Sequence, residues 1–92
     1  MTIKDLKTGD IIIQRAGHVG LYIEKDDEGY IIYQSSGYDS VDENYNEDLT
    51  DFVSGSDFDI MQIFREEHSA ISFSDYMDAE LIFNRDESWV KP

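Results

Sequence analysis

Apolar and polar positions divide the chain into segments of two different periods. Ile11-Ile12-Ile13 is a β-branched run and predicts a strand through about Arg15. Ala16-Gly17 supplies a tight connection. From His18 to Glu24 the pattern alternates, with Val19, Leu21 and Ile23 on one side and His18, Gly20, Tyr22 and Glu24 on the other. Period two is the mark of a half-buried strand. Lys25-Asp26-Asp27-Glu28-Gly29 reads as a polar loop, and Tyr30 to Ser35 as a third strand. Together these three predict an antiparallel meander. Phe58 to Arg65 alternates again, with Phe58, Ile60, Gln62 and Phe64 opposite Asp59, Met61, Ile63 and Arg65, and predicts a fourth strand.

Two segments change to a helical period. Ser40-Val41-Asp42-Glu43 has the S-x-x-E form of a capping box, and Gly55 stands where a helix commonly stops. Between them Val41, Tyr45, Leu49, Phe52 and Val53 recur on one arc, with Glu43, Glu47, Asp48 and Asp51 opposite. Ser72 to Asn84 is the second helical candidate, opened by Ser72 or Ser74 as a cap and striped by Phe73, Met77 and Leu81, with Asp75 and Asp78 on one side. The tail from Arg85 to Pro92 offers Trp89 for docking. The expected order is β-β-β-α-β-α. That makes residues 1–92 a single acidic α+β domain, a small antiparallel sheet of about four strands with two helices packed on it.

Charge sharpens this picture. The chain has 92 residues, 21 acids and 7 bases, a formal net charge of -14. Residues 1–25 are close to neutral, and nearly all the excess lies beyond them. From residue 26 to residue 59 there are eleven acids and no Lys or Arg: Asp26, Asp27, Glu28, Asp39, Asp42, Glu43, Glu47, Asp48, Asp51, Asp57 and Asp59. Disorder needs low hydrophobicity as well as high charge. Here Tyr30, Ile31, Ile32, Tyr33, Tyr38 and Tyr45 thread the same stretch, so a folded scaffold is expected to hold the carboxylates. Glu43, Glu47 and Asp51 would be successive i,i+4 neighbours. Like charges at that spacing cost a helix a few tenths of a kcal/mol per pair.

Several chemistries are excluded or unsupported. Without cysteine there is no disulfide scaffold, Cys-ligated zinc site or cysteine nucleophile. His18 and His68 are fifty residues apart, which is not a zinc spacing, and the acidic runs lack the alternation and closing glutamate of an EF-hand loop. Ser35, Ser36, Ser40, Ser54 and Ser56 lie in no Gly-x-Ser-x-Gly elbow. Phosphate-binding and dinucleotide-binding loops are absent, so no metal, cofactor or catalytic residue is assigned. Six Tyr and five Phe lack the basic neighbours of a nucleic-acid platform and are read as core. Strong negative charge opposes direct contact with nucleic acid or an anionic membrane and favours a basic partner. No apolar run reaches membrane-spanning length and the N-terminus lacks a signal-peptide core, so a cytoplasmic protein is expected.

Gly9-Asp10-Ile11-Ile12-Ile13 followed by His18-Val19-Gly20-Leu21-Tyr22-Ile23 resembles the strand pair of NlpC/P60-like papain-fold hydrolases, over about a quarter of the chain. That resemblance implies a general base at His18 beside a cysteine. The cysteine is missing, and a base without its nucleophile forms no covalent intermediate. The reading it leaves is a catalytically inactive domain.

Over the whole chain, the length, acid density, absence of cysteine and small α+β pattern resemble the Arn family of T-even phage anti-restriction proteins. That resemblance implies a non-enzymatic DNA mimic in the host cytoplasm. It would occupy the DNA-binding surface of the modification-dependent restriction endonuclease McrBC, and bind other host DNA-binding proteins such as the nucleoid protein H-NS. At the charge density of duplex DNA, -14 corresponds to roughly 24 Å of axis, about the diameter expected of a domain this long, whose radius of gyration is about 12 Å. A homodimer would double that length. The surface expected to act comprises the acids of residues 26–59 named above, with Asp75 and Asp78. The rival account is an acidic binding module for one basic protein partner.

Overall fold

A computed structural model describes residues 1–66 and 79–92. Its main element is one six-stranded antiparallel sheet: β1 (Ile11–Gln14), β2 (Val19–Lys25), β3 (Glu28–Tyr33), β4 (Tyr38–Ser40), β5 (Ile60–Arg65) and β6 (Glu80–Asn84). The spatial order is β4-β3-β2-β1-β5-β6. The first four strands form the meander, and β5 returns to lie on the other side of β1. Strand β1 is therefore central, and Ile11, Ile12, Ile13 and Gln14 are all buried. That burial explains why its sequence is a continuous apolar run, since a strand covered on both faces has no polar alternation.

The two faces carry separate cores. Ile12, Tyr22, Ile31, Ile60 and Ile63 pack with Leu6, Val41, Tyr45 and Leu49 on one side. Ile11, Ile13, Val19 and Leu21 pack with Ile23, Phe64 and Trp89 on the other. The division of β2 is the one its alternation predicts. In β5 the phase breaks. Ile13 pairs with Gln62 but Gln14 pairs with Ile60, so Met61 is an extra residue bulged out of register. Ile60 and Ile63 consequently share a face that strict alternation would deny them.

The helical expectation is corrected. Val41–Asn44 is a single turn, α1, and is the one α-helix among the described residues. Tyr45 is already extended, Asn46 N–H bonds Thr50 O, Leu49 takes a φ of 73°, and Tyr45 bridges Asp51 in antiparallel fashion. The cause is local. Asp48 accepts from the amide and hydroxyl of Thr50, and Asn46 donates to the same hydroxyl. Short polar side chains that bond nearby groups compete with helix propagation. Val41, Tyr45 and Leu49 still reach the core, whereas Phe52 and Val53 are 57% and 61% exposed. Ser40 makes no side-chain cap; the reciprocal capping bonds occur at Thr2 and Asp5 instead, around a 3-10 turn at Ile3–Asp5.

Three further boundaries differ. Glu80–Asn84, expected at the end of the second helix, is strand β6 paired with β5. The rest of that helical prediction, with Asp75 and Asp78, lies outside the described residues. Tyr38–Ser40, expected as loop, is a sixth strand at the sheet edge. Phe58 belongs to a 3-10 turn, Ser56–Phe58, rather than to β5. No described helix is long and apolar enough to cross a membrane.

Candidate functional site

The β2–β3 connection builds an acidic end of the sheet. Lys25 pairs with Glu28, so only Asp26 and Asp27 form the turn. Their φ angles are 53° and 65°. Two successive positive angles define the hairpin turn whose twist matches the flanking strands, and aspartate is among the few side chains that tolerate them. The expected five-residue loop is thus a two-residue turn, with both carboxylates exposed at its tip.

Nearby elements add to it. The β2–β3 register puts Glu24 and Gly29 opposite one another. Tyr22 lies across Gly29, where any Cβ would overlap its ring and hydroxyl. Exposed Asp42 and Glu43 open α1 directly after β4. Burial, then the charges of Glu24, Asp42 and Asp10, raise the Tyr22 pKa. Tyr30 donates to Glu28, and that bond, with Glu43 among the weaker influences, pushes its pKa up to about 12. Glu24, Asp26, Asp27, Glu28, Asp42 and Glu43 therefore share one region. Glu24 was not among the expected acids because it precedes the base-free stretch, although its place on β2 was legible.

The other expected acids separate into distinct roles. Glu47 and Asp57 are exposed. Asp48 is also exposed; its two bonds from Thr50, aided by Arg85, hold its pKa below the ordinary carboxylate value. Asp39 faces the sheet and accepts from Tyr33 Oη. Asp51 and Asp59 are corrections: they are only 7% and 8% exposed. Asp51 Oδ1 accepts from the amides of Val53 and Ser54, and Asp59 accepts from the Asp51 amide and from Arg15. Asp51 cannot share a solvent face with Glu43 and Glu47 because the helix that would align them ends at Asn44.

The three arginines are engaged by the fold itself, while the four lysines are exposed. Arg65 grips Asp10 through two bonds of 2.8 Å and donates to Asp5 O. Arg15 donates to Ser56 O and Asp59. Arg85 donates to the carbonyls of Ile60 and Asp48 and lies 5.4 Å from the centre of the Phe83 ring. All three guanidinium groups are spent on the fold's own acceptors. Residue order does not reveal this pattern, since Arg65 and Asp10 are 55 residues apart and meet only because β5 lies beside β1.

The Gly-Asp and His-Val-Gly signatures also have structural uses. Gly9 has a φ of 102° in a turn closed by Asp10 N–H to Lys7 O, and the Asp10 carboxylate accepts from Lys7 and Arg65. Gly20 leaves room for Ile31, whose methyl would overlap a Cβ. His18 is exposed, stacks on Phe58 at 5.2 Å and meets Tyr33 edge-on at 6.4 Å. Beneath it, Gln14 Nε2 donates to Tyr33 and Tyr45, and those hydroxyls donate to Asp39 and to Phe58 O. Burial raises the pKa values of both tyrosines, and neither is poised for proton transfer near neutrality.

Among the described residues no group of three or more His, Cys, Asp or Glu is arranged to hold a metal ion. No protein-family model, curated protein or solved structure matches this chain.

Proposed function

We propose that this protein is a non-enzymatic mimic of the DNA backbone. It competes with DNA for the basic surface of a DNA-binding protein in the host cytoplasm. The observation that carries this reading is a group of exposed carboxylates at one end of the sheet that outnumbers its neighbouring base, Lys25. The three arginines are turned onto acceptors of the fold, while Asp26, Asp27, Glu28, Asp42 and Glu43 face solvent at one end of the sheet. Carboxylates fixed on a hairpin and a helical turn offer charge-assisted acceptors to Lys and Arg side chains that otherwise meet phosphates.

The scale is compatible. The longest extent is 36 Å. A net charge of -14 spread over a body of 36 × 31 × 25 Å gives at most one charge per roughly 2.6 Å of its long axis, below the density of duplex DNA. A homodimer would lengthen the array. The acting set is the exposed acids, and Asp51 and Asp59 are left out of it because they are buried.

The target we propose is the modification-dependent endonuclease McrBC, with the nucleoid protein H-NS as a second partner, following the resemblance to phage anti-restriction proteins. The test is cleavage of modified DNA by that endonuclease. Inhibition that is overcome by excess uncleavable duplex supports competition, and inhibition indifferent to added duplex removes it.

A further inference from the structure

On one face of the sheet an open groove of about 330 Å3 lies at the β3–β4 edge, lined by Lys25, Asp26, Glu28, Tyr30, Ile32 and Tyr38. Strand register explains its composition. Lys25 pairs with Glu28, Ile23 with Tyr30, and Ile32 with Tyr38, so these side chains share the face that carries Val19 and Leu21. Phe64 and Trp89 cover that face over the β1–β2 core. Beyond it Tyr38 is 67% exposed, and its ring meets Tyr30 edge-on at 5.8 Å. The volume is at the small end of the roughly 300–1,000 Å3 usual for ligand pockets. It is ample for one long side chain.

We infer that this groove receives an arginine side chain of the basic partner, seated on Tyr30 and Tyr38 and held by the carboxylates of Glu28 and Asp26. The inference rests on the reading of the protein as a ligand for DNA-binding surfaces, and it adds a recognition element that phosphate does not supply. Three features select the occupant. The rings and Ile32 offer apolar surface to an aliphatic stem, as long cationic side chains require. The exposed ring of Tyr38 offers a face to a planar cation. Glu28, oriented by the hydroxyl of Tyr30, accepts from the cation's donors. A phosphate would meet two carboxylates against the single positive charge of Lys25, a net repulsion. An apolar side chain would desolvate them without a partner. Lysine has the charge but not the plane, so it stacks less well.

The experiment titrates three short peptides into protein carrying isotope-labelled tyrosine rings, followed by NMR. Each has glycine on both sides of one central residue: arginine, lysine or citrulline. The expected result is saturable movement of the Tyr30 and Tyr38 ring signals by the arginine peptide, weaker binding of the lysine peptide, and none by the neutral citrulline peptide. Tyr38→Leu is expected to weaken the arginine peptide about three- to fivefold, the range of an exposed cation–π contact, while Tyr38→Phe keeps the affinity. Because Tyr38 is exposed on an edge strand, both variants are expected to fold, and the ring spectrum of the remaining tyrosines verifies it. Ring signals that stay still, or equal affinity in wild type and the folded Tyr38→Leu variant, would overturn the inference. Failure of DNA competition with intact arginine binding would sink the broader mimicry instead and leave the groove standing.

Discussion

Asp10 and Arg65 illustrate how much one residue pair carries in so small a domain. Asp10 is 1% exposed, whereas the Arg65 side chain keeps 30% of its surface in water. Breaking the pair is therefore asymmetric. Arg65→Met strands a buried carboxylate and is expected to cost about 3–5 kcal/mol. Asp10→Asn leaves a guanidinium that can turn to solvent and retains an acceptor for Lys7, so about 1–3 kcal/mol is expected. Urea denaturation of the two variants checks the order; an equal or reversed ranking contradicts the assignment. Tyr30 provides a second residue-level test. Its phenol is held neutral by Glu28, with a pKa near 12 against an ordinary 10.0. A raised folded pKa stabilises the fold fully below the unfolded value and loses that contribution as pH rises from about 10 toward 12. Site-resolved NMR titration of labelled tyrosine rings should show Tyr30 ionising late, and Glu28→Gln should bring it back toward 10. A titration unchanged by that substitution would deny the bond.

At the scale of elements, the strands were more legible than the helices. Period two in β2 and the unbroken apolar run of β1 follow from one-sided and two-sided burial, and both were readable from residue order. The segment after α1 misled because Val41, Tyr45 and Leu49 satisfy a helical period and also a one-turn helix followed by a tight loop. The deciding residues are Asn46, Asp48 and Thr50, whose mutual bonds close that loop. Strand β4 was hidden for another reason: three residues are too few for a period, and Gly37, with a φ of 86°, makes the turn that brings them beside β3. The bulge at Met61 likewise leaves no mark in a pattern of alternating residues. For the site, the acid-rich stretch was visible, but which acids face water was not, since that depended on where α1 ends. This gives an element-level prediction. Asp42→Lys with Glu43→Lys should weaken inhibition at least tenfold in a folded protein. Asp51→Ala should cost about 1–3 kcal/mol of stability by removing a buried acceptor, while the folded fraction inhibits as before. A folded double variant with full potency would take α1 out of the interface.

At the scale of the whole molecule, one property acts in two directions. Fixed charges of a single sign repel one another within the fold and attract a basic partner outside it. Salt screens both interactions, with a Debye length of about 8 Å at physiological ionic strength. Added sodium chloride should therefore raise the melting temperature, a gain of about 1 kcal/mol corresponding to roughly 4–8 °C for a domain of this size. Over the same range it should weaken partner binding. Parallel trends, with salt strengthening or sparing the complex, would mean that apolar contacts rather than carboxylates dominate the interface.

The most direct measurement is fluorescence anisotropy of a labelled, modified duplex bound to the McrBC endonuclease as this protein is added. Mimicry predicts that the signal falls to that of free duplex, with a midpoint that rises in proportion to the duplex concentration. A signal that stays high, or climbs as all three components assemble together, would contradict it.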